Sequence, residues 1–87
     1  MSGSPEIPET HLVEQGTFAL MVDGIVQKRK PHLSFIGRPL KDVRTELAGQ
    51  SFKRAASREP NWEAYERTQD GTTTRIALKC GPNLGKR

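Results

Sequence analysis

Apolar and polar positions alternate with a period of two on either side of two Asp-Gly dipeptides, and this pattern predicts two β-hairpins. In the first, residues 17–22 place Phe18, Leu20 and Val22 on one face, Asp23-Gly24 turns the chain, and residues 25–30 return with Val22 opposite Ile25. In the second, residues 61–69 lead into Asp70-Gly71 and residues 72–80 lead out. Both turn residues accept positive φ, so a two-residue loop fixes the register. It sets Tyr65 opposite Ile76 on one face and Glu66 opposite Arg75 on the other, with Ala64 beside Ala77, Thr68 beside Thr73 and Trp62 beside Lys79.

Between the hairpins the period changes. Pro31 removes a ladder donor and belongs on an edge or at a bulge, before a short apolar run at residues 33–36 that can supply a further strand. Pro39 suits a first helical turn, where its missing N–H costs nothing. A helix is expected over residues 39–57, carrying Leu40, Val43, Leu47, Phe52, Ala55 and Ala56. At 100° per residue Leu40, Val43 and Leu47 cluster within about 60°, while Ala48, Phe52, Ala55 and Ala56 lie on a sector rotated by roughly 100°. The stripe drifts, and Gly49 between the two sectors marks a kink or a close backbone approach. Pro60 ends the element. The expected fold is α+β, an antiparallel sheet of four to five strands packed against one α-helix in the order ββ(β)αββ. Residues 1–10 read as a flexible leader, residues 11–80 as a single domain and residues 81–87 as a loose basic tail.

Size changes the functional odds. A chain of 87 residues has room for one modest core and little left for a deep catalytic cleft. The single cysteine, Cys80, cannot form an internal disulfide, which points to a reducing compartment. No basic stretch followed by an apolar one stands near the N-terminus, and no apolar run approaches membrane length, so the expectation is a cytoplasmic protein without a membrane partner.

Charge is unevenly distributed within the formal total of +4. Residues 1–24 hold Glu6, Glu9, Glu14 and Asp23 and no lysine or arginine. Residues 25–60 hold Lys28, Arg29, Lys30, Arg38, Lys41, Arg44, Lys53, Arg54 and Arg58 against Asp42, Glu46 and Glu59. A basic central segment of this kind is a reason to consider an anionic partner. Lys53, Arg54 and Arg58 also have a structural reason to exist, since cations in a last helical turn complement the helix dipole.

Catalytic and metal chemistry find little support. His11, His32 and Cys80 match no zinc-ligand spacing, and Cys80 at the end of a strand beside Leu78 reads as a small buried thiol. Gly81 to Arg87 resembles a phosphate loop only superficially: it is one residue short between the glycines, Arg87 stands where Ser or Thr would be, and no helix follows. No cofactor is expected, and no enzyme. Two binding classes compete. The first is a small protein-binding regulator or inhibitor, of the kind mobile elements often encode, acting through a sheet edge or an exposed hairpin face with Trp62, Arg67 and Arg75 as anchors. The alternative is a nucleic-acid-binding module without sequence specificity, clamping phosphates with the basic residues of the segment 28–58. The acidic first third and the mixed Glu and Arg of the second hairpin favour the protein partner.

Overall fold

The computed structural model describes residues 7–57 and 59–82, which form one antiparallel sheet with one helix laid across it. The elements are β1 (Leu12–Val22), β2 (Ile25–Pro31), α1 (Leu40–Gly49), β3 (Lys53–Ala55), β4 (Trp62–Gln69) and β5 (Thr72–Gly81). The five strands lie in the order β2-β1-β5-β4-β3, so the two hairpins meet where β1 pairs with β5. Among the described residues no helix is long and apolar enough to cross a membrane.

The two-residue turns behave as their sequence demands. Asp23 and Asp70 have φ of 55° and Gly24 and Gly71 have φ of 79° and 81°, the left-handed pair that matches strand twist. Every pair expected in the second hairpin is present, from Trp62 opposite Lys79 to Thr68 opposite Thr73. In the first hairpin Val22 does face Ile25, but the register steps by one between Leu20 and Met21, leaving Gln27 as the extra residue of a bulge. β1 begins five residues earlier than expected, at Leu12, because a second bulge near Glu14 absorbs the break in alternation. Gly16 is required there: a Cβ on it would collide with the carbonyl oxygen of His32, whose N–H donates to Gly16 O at 2.9 Å.

Residues 33–36 are a turn rather than a strand. The loop runs along the first half of β1, with Gly37 N–H donating to Val13 O at 2.8 Å and Val13 N–H to Arg38 O at 3.0 Å. The fifth strand lies instead after the helix. α1 is half the expected length, because the chain closes it with a Schellman motif. Phe52 N–H donates to Leu47 O and Ser51 N–H to Ala48 O, while Ser51 takes φ of 70°. Phe52 then packs with Leu47 in the core, and Lys53–Ala55 turn outward to pair with β4. The drift of the apolar stripe was therefore the helix ending. Lys53 and Arg54 stand on an edge strand and have no helix dipole to complement, and Arg58 lies outside the described residues.

Leu40, Val43 and Leu47 of α1 close over Val13, Tyr65, Ile76, Leu78 and Cys80 on one face of the sheet, with Phe35 and Phe52 at the flanks. The described part of the segment read as a leader lies against this body: Ile7 packs on the core, and Glu9 O accepts from Lys41 N–H at 3.0 Å. Residues 1–6 and 83–87, the remainder of the leader and tail, fall outside the described residues. Among the described residues no helix lies on the opposite face of the sheet.

Candidate functional site on the uncovered sheet face

Strand alternation decides which side chains reach the uncovered face, and strand pairing lines them up in rows. One row is small: Thr17, Ala77, Ala64 and Ala55 follow one another across β1, β5, β4 and β3. The next row is charged: Arg29, Ala19, Arg75, Glu66 and Lys53 succeed one another from β2 to β3. On the other side of the small row Trp62 stands beside Lys79. Short side chains between long ones leave a trough. It encloses about 490 Å³ over a floor of Thr17, Ala19 and Ala77, walled by Trp62, Glu59, Arg75 and Arg29.

The walls are held in place from below. Arg75 donates to Glu66 at 2.6 Å and to Ala56 O at 3.4 Å, which fixes its guanidinium between β4 and the segment leaving β3. Trp62 is set by a turn in which its N–H donates to Glu59 O at 3.3 Å and Asn61 has φ of 70°. Trp62 is half-buried and borders the trough. Arg29 is exposed on β2 and has no ion-pair partner among the described residues.

A second polar cluster lies beneath the helix. Glu63, inward-facing on β4 and 3% exposed, accepts from Arg44 Nε at 3.3 Å and Nη2 at 2.5 Å, with Arg54 Nη2 at 3.5 Å and the Tyr65 hydroxyl donating to its other oxygen. Burial pushes this carboxyl up, but the hydrogen bonds from Arg44 and Tyr65 and the charges of Arg44 and Arg54 outweigh it and hold the group below the ordinary carboxylate range. Burial and the same carboxylate push the Tyr65 hydroxyl up. Burial, then the charge of Glu63, raises the Cys80 thiol to about 11, so it stays protonated near neutral pH. Because Arg44 also donates to Ile7 O at 3.2 Å, the cluster ties the segment before β1, α1, β3 and β4 into one unit.

The residues singled out from sequence are distributed over both faces. Trp62 and Arg75 share the trough. Arg67 points to the helix side, its guanidinium 4.6 Å above the Phe52 ring and donating to Gln50 O at 2.9 Å. Strand parity separates Lys28 and Lys30 from Arg29, and Lys30 Nζ stands 5.4 Å from the Phe18 ring. Arg38 pairs with Glu46 at 2.9 Å, Arg44 and Arg54 pair with Glu63, and Lys41 and Lys53 are exposed. Among the described residues no group of three or more His, Cys, Asp and Glu side chains could hold a metal ion. Sequence reasoning missed the small floor, Glu59 and the buried Glu63 cluster. A signal for Glu63 existed: it is two residues before Tyr65 on one strand, so a register that turns Tyr65 inward turns Glu63 inward as well. Comparison with family models, curated proteins and solved structures returns no match for this chain.

Proposed function

We propose that the protein is a small non-catalytic regulator or inhibitor that binds another protein through the uncovered sheet face. The observation that carries this reading is the trough itself, a row of small residues between a fixed tryptophan and two arginines. Small residues let a partner backbone approach the sheet, and Trp and Arg are the side chains around which binding energy concentrates. Charge narrows the partner's chemistry. Arg29, Arg75, Lys53 and Lys79 outnumber Glu14, Glu59 and Glu66 on this face, so the complementary segment is acidic. Arg29 on β2 and Trp62 on β4 are three strand spacings apart across the sheet, about 14 Å, and four residues apart along it, about 13 Å. The diagonal of about 19 Å between backbones asks for an apolar side chain on Trp62 and a carboxylate about that far away.

Selection of linear peptides from a random library, with Trp62→Ala as the counter-selecting variant, tests this. Sequences that combine an apolar anchor with Asp or Glu should emerge and should bind Trp62→Ala about 30-fold more weakly, the equivalent of roughly 2 kcal/mol. If no selected sequence depends on Trp62, or if single-stranded oligonucleotides bind tighter than about micromolar at physiological salt, the proposal fails in favour of a phosphate-binding surface.

A further inference from the structure

The outer edge of the sheet offers a second surface, which adjoins the trough and shares Arg29 with it. Among the described residues β2 pairs only with β1, and all seven of its residues are exposed. Its outer side carries backbone donors and acceptors that no other strand among the described residues satisfies. The opposite edge is different, for β3 is three residues long. Two features of β2 stand together: Ile25 and Val26 are 64% and 43% exposed, and Lys28, Arg29 and Lys30 follow without an intervening acid. Lysines on an edge strand guard against edge-to-edge association, and here they exclude one occupant in particular. A second copy of the chain pairing through β2 would bring six cations and no carboxylate onto the shared edge in any register. The cations that repel a copy attract an acidic strand.

We infer that β2 is a strand-addition edge for an extended acidic segment of a partner protein, running antiparallel, with carboxylates against Lys28, Arg29 and Lys30 and apolar residues against Ile25 and Val26. In the partner's chain direction the motif is three acidic residues, one spacer opposite Gln27, then two apolar residues. Main-chain hydrogen bonds would supply affinity and alternate side chains specificity. Lys28 and Lys30 lie on the helix side and Arg29 on the trough side, so the three carboxylates are read on both faces of the new strand. Pro31 lacks an N–H and ends the ladder.

A labelled synthetic peptide of that pattern, titrated by anisotropy at about 0.15 M ionic strength, tests the inference. The wild-type protein should bind it at least about tenfold more tightly than the amide version with Asn and Gln in place of the acids. Methylating the peptide nitrogens that face β2 should cost at least about another tenfold, and binding should slow hydrogen exchange at outward-facing β2 amides. Lys28→Glu with Arg29→Glu and Lys30→Glu should abolish binding while leaving the melting curve intact, since all three side chains are exposed. Trp62→Ala should bind this peptide normally, which separates failure of the edge from failure of the trough. Binding that survives backbone methylation, no binding at millimolar peptide, or an oligonucleotide that displaces the peptide at lower concentration would each overturn the assignment.

Discussion

Glu63 is a carboxylate placed where an apolar residue would ordinarily stand, opposite Leu78 and beneath the helix. Its bidentate contact with Arg44 makes it tolerable, and removing one partner of such a pair leaves the other without its counter-charge. Glu63→Gln should therefore cost about 3 kcal/mol, the lower end of the range for buried pairs, because Arg44 retains some access to water. The pH dependence follows from the direction of each shift. The Glu63 carboxyl is held below its ordinary value of 4.5, so its contribution is present above that pH and lost as pH falls through the lowered native value. Urea melts should show this acid weakening in the wild type and less of it in Glu63→Gln. At the alkaline end Cys80 is raised from 9.0 to about 11, so its contribution is complete below pH 9.0 and lost as pH rises toward about 11. Cys80→Ala should flatten that part of the decline, leaving the share that belongs to Tyr65. Ser51 holds a left-handed conformation that glycine accepts more readily, and Ser51→Gly should raise stability by up to about 1 kcal/mol.

At the scale of elements, the helix and its exit give the clearest test of packing. Leu47 is fully buried and also forms the apolar contact of the Schellman motif with Phe52, so Leu47→Ala should cost about 2–5 kcal/mol, whereas Lys53→Ala on the exposed edge should cost less than about 0.5. Thermal melts that ranked the two in reverse order would refute this assignment of the buried face. Both hairpins were legible because Asp-Gly turns fix pairing locally, without help from the rest of the molecule. The bulges at Gln27 and near Glu14 were not, since an extra residue in a strand depends on what packs beside it, and here that includes the carbonyl of His32 over Gly16. The helix was overrun because Phe52 continues an apolar spacing across a stop that contains no C′ glycine. The stop leaves a trace all the same, for Leu47 and Phe52 occupy the two positions that a Schellman motif brings into contact.

For the molecule as a whole, the decisive asymmetry among the described residues is that one helix covers one face of a five-stranded sheet and leaves the other open. Two walls of the candidate site were readable in advance, because the hairpin register placed Trp62 and Arg75 on the face away from Tyr65 and Ile76. Arg67 belongs to the opposite parity. The floor was not readable, since it needs Thr17 and Ala19 of the first hairpin beside Ala77 and Arg75 of the second, a long-range pairing of β1 with β5 that no local pattern specifies. The basic central segment disperses as well: alternation divides β2 between two faces, Arg44 and Arg54 meet Glu63 from beyond the segment, and Arg38 pairs with Glu46 within it.

Trp62 is the only tryptophan in the chain, so its fluorescence reports directly on the trough. The most direct measurement is a titration at about 0.15 M ionic strength that follows this emission against a selected acidic peptide and, separately, a single-stranded oligonucleotide. The peptide should shift the emission and saturate, with Arg29→Glu weakening it at least about tenfold, while the oligonucleotide leaves the emission unchanged at micromolar concentration. Saturable oligonucleotide binding tighter than about micromolar, with no peptide able to shift Trp62, would contradict the account.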